Sequence, residues 1–474
     1  MALTKVKIGF LPSNWEDWDG TEYSGKWAGK MRDRCVAVMQ RIPGLELVVP
    51  SHELTRDGCV NDIPEARKVL RLFLDEGIQG LIIGNMTFGM EVAVGTLLEG
   101  IRRDMPILHF TTRSGPIHES GARSTDTWCG AFMTVSAIKR RGFTYTHIRT
   151  CNPEEPQFAD GVETFVRACS AIQNFKGLHV GQLGTRPALF ESQIWNEQLL
   201  QKNFNQMVVT MDLATVFMHF DEVSREDPEV LTIAEEITRG VVVRENAQTS
   251  VVDQARFEVA LKRIAEELGV NALASSCWTQ LQKRYGISAC STFSRLNQQG
   301  LVTACEVDLM GALTMYAMRF ASLDQAIPDF IDWTDLHPTE PNTFLAWHCG
   351  NAASSLCAEG CQATLTRNLR MIQWCENCHG ALEFEMKAGP VTCGRLVEYD
   401  GRFTFFHGTG EIVHMDPYIR GAYGWVKVND VGDWEDKMVE HGVIHHGVLI
   451  HDPKVSDALE LFCKYLGIES VRGK

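Results

Sequence analysis

The chain has 474 residues, enough for roughly three domains and for cores that stand without covalent staples. Its 45 basic and 60 acidic residues leave a net charge of −15, which excludes the electrostatic footprint of a general nucleic-acid binder. Hydrophobic residues at 45% and charged residues at 22% match an ordinary globular protein and exclude disorder as the main theme.

The N-terminal run Val6 to Leu11 is too short for the apolar core of a secretory signal and reads as a first strand, so the expected compartment is the cytoplasm. Further short apolar runs follow at 45 to 50, 80 to 84 and 106 to 110, separated by helix-length polar stretches. Such spacing predicts βαβ crossovers and a parallel sheet. Between the second and third runs, Pro64 to Glu76 predicts a helix, with Pro64 in its first turn and Ala66, Val69, Leu70, Phe73 and Leu74 on one face. A second α/β set starts with strands at 178 to 184 and 207 to 213, joined by a helix around Glu191 to Asn203. A later helix carries Phe257, Ala260, Leu261, Ile264 and Leu268 and stops at Gly269.

Pro341 to Ala358 lacks Asp, Glu, Lys and Arg, yet Asn342, His348, Gly350, Asn351, Ser354 and Ser355 make it polar, so it predicts a site and not a membrane span. Beyond about residue 360 short alternating runs dominate, with Asp400-Gly401 as a hairpin turn, and predict a small barrel or sandwich. Ser456 to Leu466 returns to helical spacing and is expected to pack on that barrel. The expected division is an N-terminal α/β domain over 1–155, a second α/β domain over 156–325 and a β-rich domain over 326–474.

Familiar short motifs are absent: there is no GxxxxGK[ST], no GxGxxG after the first strand, no HExxH and no GxSxG. Cys375-Glu-Asn-Cys378-His379 matches the haem-attachment spacing, but that chemistry belongs to exported proteins. Cys357, Cys361, Cys375 and Cys378 have a spacing that would close a tetrahedral zinc site; small buried side chains are the competing reading.

More telling are polar residues planted in apolar segments. Glu306 and Asp308 interrupt the apolar helix-like stretch CEVDLMGALTMYAM, where a carboxylate is costly unless it meets a cation or hydrogen-bond donor. Asp332 ends the apolar run PDFID, His348 sits in FLAWHCGN, and His445 and His446 sit in HGVIHHGVLIH. Singly, each suits a satisfied structural role. Together, Glu, Asp and His with open positions suit manganese or a similar divalent ion that also holds a substrate's oxygens.

ACEVDLMGALTM, then Asp332, then AWHCGN, then IHHGVLIH resemble the L-fucose and L-arabinose isomerase superfamily, closest to its fucose-isomerase-like branch. CWTQLQKRYGISACSTFSRLNQQGLVTACE and GPVTCGRL also fit, so the resemblance covers about residues 160 to 470. It implies two Rossmann-like α/β domains followed by a β-barrel-like C-terminal domain. It also implies a homotrimer or homohexamer with active sites between neighbouring subunits. Glu306 and Asp332 match the family's metal-binding, proton-transferring carboxylates, and His446 matches its metal-ligand histidine. His348 matches a region that supplies a fourth ligand in arabinose-type enzymes. His445 stands where fucose enzymes have asparagine, a departure that bears on the substrate.

The implied activity is metal-dependent aldose–ketose isomerisation of a monosaccharide, in which a proton moves between adjacent carbons through a cis-enediol. Arg113 and Arg123, in TTRSGPIHESGAR, would suit an anionic sugar such as sulfoquinovose if they reached in from a neighbouring subunit, and Trp278 or Trp347 would stack on a sugar ring. Two rivals share parts of this pattern. A non-catalytic sugar-binding protein also has tandem α/β domains, and a metal-dependent lyase or epimerase shares the enediolate step.

Overall fold

The apolar runs at 6 to 12, 80 to 84 and 106 to 110 become parallel strands buried along almost their whole length. The computed structural model describes residues 2–15, 26–244, 247–368, 376 and 378–474. They divide into two compact units, Ala2–Gln173 with Glu460–Gly467, and Asn174–Leu459 with Ile468–Lys474.

The first unit holds strands β1 (Val6–Ser13), β2 (Leu45–Val48), β3 (Gly80–Asn85), β4 (Ile107–Thr111) and β5 (Tyr145–Ile148) in one parallel sheet of order β2-β1-β3-β4-β5. Every residue of β3 and β4 is buried, which is why these strands read as unbroken apolar runs. Edge strand β5 is mostly half-buried or exposed, and its polar residues hide it from the same reading. The expected helix forms over Ile63–Glu76: the Asp62 side chain accepts the Glu65 amide, Pro64 occupies the first turn, and Gly77 ends the helix at φ 65°.

The second unit opens with β6 (His179–Leu183), β7 (Met207–Met211), a short β8 (Val242–Val243), β9 (Ala272–Ser275) and β10 (Val302–Ala304). A parallel sheet of order β10-β9-β6-β7 results. The helix expected from Glu191 to Asn203 differs in detail. A single 3-10 turn spans Glu191–Gln193, and the helix proper is Glu197–Phe204, because the Asn196 side chain accepts the Leu199 amide and starts the helix there. The long helix Gln248–Leu268 ends at Gly269, φ 63°, as its pattern predicts.

The remaining strands are β11 (Pro328–Leu336), β12 (Thr343–His348), β13 (Thr364–Arg367), β14 (His379–Glu385), β15 (Gly389–Tyr399), β16 (Arg402–Val413), β17 (Ala422–Lys427), β18 (His446–Ile450) and β19 (Glu469–Arg472). Antiparallel pairing in the ring β16-β15-β18-β11-β12-β17, closed by β17 against β16, makes a six-stranded barrel. Two α/β sheets followed by a barrel is the architecture the resemblance implies. Barrel strands β11 and β12 precede the clear alternation in sequence because Pro328–Ile331 and Thr343–Ala346 are buried throughout. Tyr399 pairs with Arg402, and Asp400 and Gly401, at φ 51° and 81°, supply the two left-handed positions of the hairpin turn.

The helix Leu309–Ala321 is buried on nearly every side and packs between β9 and β10 of the parallel sheet and β11, β15 and β18 of the barrel. Its Thr314 hydroxyl accepts the Leu396 amide of β15 at 3.1 Å. The C-terminal helix spans Lys454–Leu466, but its residues from Glu460 belong to the first unit, where the Tyr465 hydroxyl donates to the Ile107 carbonyl at 2.6 Å. The expectation that this helix packs on the barrel is therefore corrected for those turns. Among the described residues no helix is long and apolar enough to cross a membrane.

Directly after β12, Gly350 adopts φ 124°, and a Cβ there would come within 2.5 Å of the Leu382 amide nitrogen. Gly350→Ala is expected to cost about 1–3 kcal/mol, read as a lowered thermal melting midpoint, and an unchanged midpoint would contradict this.

Candidate active site

The site is built around Asp308, which is 0% exposed. Asp308 does not interrupt a helix, as the sequence suggested; it caps the N-terminus of Leu309–Ala321, its Oδ1 accepting the Gly311 amide at 2.8 Å. Arg395 of β15 donates Nη1 to Oδ2 at 2.6 Å and Nη2 to Oδ1 at 2.9 Å. His446 Nδ1 lies 2.8 Å from Oδ2. The carboxylate accepts only, so this Nδ1 carries a proton and Nε2 points the other way.

That other side meets two carboxylates. His446 Nε2 lies 3.3 Å from Glu306 Oε2 and 3.7 Å from Asp332 Oδ1. Asp332 and His446 stand opposite each other where β11 pairs with β18. Glu306 belongs to a 3-10 turn, Cys305–Val307, between β10 and the buried helix. Glu306 and Val307 adopt φ 61° and 59°. For a β-branched residue this is a strained backbone, of order 1–3 kcal/mol, and it turns the Glu306 side chain toward the barrel. Trp278 Nε1 donates to Glu306 Oε1 at 3.1 Å, which leaves Oε2 facing His446.

His348 ends β12, is buried, and packs its ring 5.4 Å from Phe330 and 6.4 Å from His446. The ligand atoms of Asp332, His348 and His446 lie within 4.8 Å of one another, and so do those of Glu306, His445 and His446. Four of the five were expected as catalytic or metal-binding residues, and the structure brings all five together around His446. The exposed His445 ring lies 4.0 Å from that of His446 and 4.9 Å from that of Phe190.

Charge is out of balance here. Burial works to raise the Asp308 carboxyl, but Arg395 and His446 outweigh it and hold the group far below the usual carboxylate range. Glu306 is likewise lowered, burial being outweighed by His446 and His348. Burial works to lower His446, but its hydrogen bond to Asp308 and the negative charge of the nearby Glu306 carboxylate raise it to about 9. His348 is also raised to about 9, with burial overcome by Cys349, Asp332 and Glu306. His445, exposed at the surface yet partly desolvated beside the His446 and Phe190 rings, is lowered by that desolvation and by His446.

Glu306 Oε2 and Asp332 Oδ1 are buried with no hydrogen-bond partner. Two unsatisfied carboxylate oxygens that both face one imidazole nitrogen, each within its own cluster of possible ligand atoms around His446, form an oxygen-rich, partly nitrogen donor set that fits a divalent cation of the manganese type. A cation there would replace the proton that His446 otherwise holds on Nε2.

Arg113 and Arg123 lie in the first unit. Arg113 spans both oxygens of Glu155 at 2.8 and 3.1 Å, and Arg123 Nε contacts both oxygens of Asp126 at 2.8 and 3.0 Å. Trp347 is half-buried, its Nε1 donating to the Arg420 carbonyl at 2.6 Å. Cys375 lies outside the described residues, and with it the four-cysteine zinc site and the haem-type motif; Cys357 is half-buried and Cys361 exposed.

Sequence reasoning missed Arg395, although an arginine amid the alternating apolar residues of GPVTCGRLVEY poses the same question of burial that singled out Asp308. It also missed Gln193, buried with Nε2 3.5 Å from His446 Nδ1, which no local pattern marks. Asn351, part of the polar stretch that the sequence marked as a site, donates to Cys305 Sγ at 3.3 Å. Arg395→Met would strand the Asp308 charge and is expected to cost about 3–5 kcal/mol by chemical denaturation, most of it recovered when Asp308 is also replaced by Leu; a cost under 1 kcal/mol, about that of a surface pair, would contradict the pairing.

Residues 22–176 match the family described as fucose/sulfoquinovose isomerase, N-terminal domain, and residues 346–472 match L-fucose isomerase, C-terminal domain. A sulfoquinovose isomerase of Alkalicoccus urumqiensis is 26% identical over 365 residues, 76% of this chain and 79% of that protein. One from Priestia megaterium is 22% identical over 85% of this chain and 87% of its own length, and one from Clostridium sp. (strain MSTE9) is 27% identical over 68% and 72%. The chain belongs to the fucose-isomerase-like branch of the L-fucose and L-arabinose isomerase superfamily and is an aldose–ketose isomerase.

Proposed function

We propose that the chain interconverts sulfoquinovose, a glucose with a sulfonate at C6, and the corresponding 2-ketose, with Glu306 and Asp332 as the proton-transferring pair. The observation that carries the catalytic reading is the convergence of two partnerless, buried carboxylate oxygens on His446 Nε2. The relatives' activity, named for sulfoquinovose, supports the substrate.

Isomerisation moves a proton between C1 and C2 on one face of a cis-enediol and a second proton between O1 and O2. One carboxylate serves the carbon-bound proton and the other the oxygens, and the roles exchange with direction. Trp278 fixes the Glu306 carboxylate in plane, so its free oxygen keeps one orientation through both half-reactions. Asp308 and Arg395 fix the His446 ring in the same way. Glu306, Asp332 and His446 would hold the divalent ion, manganese by family resemblance, with His348 or His445 as a further ligand. When bound, it polarises the carbonyl oxygen and offsets enediolate charge. The same resemblance supports a homotrimer or homohexamer.

Because His446 is raised to about 9, its extra proton must leave before a cation is ligated. In the metal-free protein the stability gained from that proton is full below the unfolded histidine's ordinary value and lost as pH rises through about 9. Metal affinity should run the opposite way, strengthening about tenfold per pH unit per displaced proton up to that point. Affinity flat with pH would contradict a protonated His446.

Turnover is tested by proton NMR of sulfoquinovose in heavy water with EDTA-stripped protein, then with manganese restored at catalytic concentration. The expected result is metal-dependent ketose formation with solvent deuterium at C2 of the aldose. Glu306→Gln should lower kcat by about 10²–10⁴-fold with the fold intact. Retained activity in that variant would overturn the assignment of the pair, and no exchange in the metal-loaded wild type would overturn the substrate.

A further inference from the structure

Sulfoquinovose carries its negative charge at the end of the sugar remote from the isomerised carbons, so an enzyme for it needs an anion anchor one hexose away from the proton-transferring pair. Arg113 and Arg123 are each engaged with both oxygens of a carboxylate. The second unit offers another pair.

A cavity of about 450 Å³ is walled by Thr334, Trp347, Cys349, Arg367, Glu383 and Arg420, among others. Its walls continue the segments that carry the candidate active site. Thr334 follows Asp332 by two residues and its hydroxyl donates to the Asp332 carbonyl at 3.2 Å. Trp347 stands opposite Asp332 in the β11–β12 register. Cys349 Sγ lies 3.5 Å from His348 Nδ1.

Arg420 is held by both ends. Its Nε donates to Glu383, which is 9% exposed, and its carbonyl accepts Trp347 Nε1 at 2.6 Å, while its own side chain remains 49% exposed. Gly421, at φ 107°, permits this approach, since a Cβ there would come within 2.6 Å of Trp347 Nε1. With Nε engaged, the two Nη groups of the guanidinium are the donors left for a ligand. Arg367, at the end of β13, supplies the second guanidinium, its Nη1 3.4 Å from the Glu376 carbonyl. Two guanidiniums against one carboxylate give this wall a net positive charge in a chain whose net charge is −15.

We propose that this cavity is the sulfonate subsite, with Arg420 and Arg367 binding the sulfonate oxygens and Trp347 flanking the sugar between that anchor and the carboxylates. Planar guanidiniums suit it, because the three oxygens of a sulfonate accept forked N–H donors as phosphate does, and Glu383 sets the orientation of one fork in advance. The proposal rests on the reading of the chain as a sulfoquinovose isomerase, and its test separates the two.

The metal-loaded full chain, wild type, Arg420→Gln and Arg367→Gln, is assayed for sulfoquinovose turnover and, separately, for propanesulfonate binding by calorimetry. Each variant is expected to raise KM for sulfoquinovose about tenfold or more, to change kcat by less than about threefold, and to weaken propanesulfonate binding. Arg420→Lys, which keeps the charge without the fork, is expected to fall between wild type and Arg420→Gln. Melting curves identify any variant that has lost its fold, and the Lys variant then carries the comparison. Wild-type turnover with KM unchanged in the variants would overturn the subsite and leave the isomerase reading standing, as would a fall in kcat alone. Propanesulfonate binding that the variants lose, in a protein that does not turn over sulfoquinovose, would support the anion site and overturn the substrate. Absence of propanesulfonate binding to the wild type, with no effect of either substitution, would overturn the subsite.

Discussion

The Asp308 carboxylate, sealed in the protein with Arg395 and the helix N-terminus on one oxygen and Arg395 and His446 on the other, decides how everything near it is arranged. Energy alone does not explain such a pair. Removing two charges from water costs several kcal/mol per ion, and the attraction regained inside roughly offsets that, so well-packed apolar side chains would serve stability as well. What the pair provides is direction. A carboxylate accepts and cannot donate, so it forces the proton of His446 onto Nδ1 and leaves Nε2 toward Glu306 and Asp332.

That direction matters because the three functional groups come from separate parts of the chain. Glu306 leaves the end of a parallel strand, whereas Asp332 and His446 face each other across two antiparallel barrel strands. The buried helix Leu309–Ala321 touches both sheets and begins at Asp308, so one residue fixes the helix start, the barrel arginine and the histidine together. The backbone at Glu306 and Val307 is held in left-handed conformations that the packing must sustain. The partnerless oxygens and the raised histidines share one cause: negative charge gathered around His446 that a divalent cation would neutralise.

Much of this was legible in the sequence, for identifiable reasons. Strands β1, β3 and β4 are covered on both faces and announce themselves as apolar runs; β5, at a sheet edge, does not. Glu306, Asp332, His348 and His446 could be singled out because a polar group in an apolar run is costly without a partner. Arg395 carries the same signal but lies in an alternating strand, where a polar residue is ordinarily taken to face water. The sequence could show that Asp308 needed a partner but not that the partner was an arginine 87 positions later. The turn at Cys305–Val307 was invisible, since its apolar neighbours continue the helical pattern through it. A charged pair at Arg113 and Arg123 attracted notice by composition, whereas Arg367 and Arg420 are gathered only by the closure of the barrel and its flanking strands.

The central claim is that Asp308 orients His446 so that Nε2, Glu306 and Asp332 form one cation site. Calorimetric titration of manganese into wild type and Asp308→Asn tests it most directly. An amide can present its NH₂ to Nδ1 and release the ring to the other tautomer, so the account predicts manganese binding weakened by about 10–100-fold in the variant with its fold retained. Equal affinity in the two proteins would contradict it.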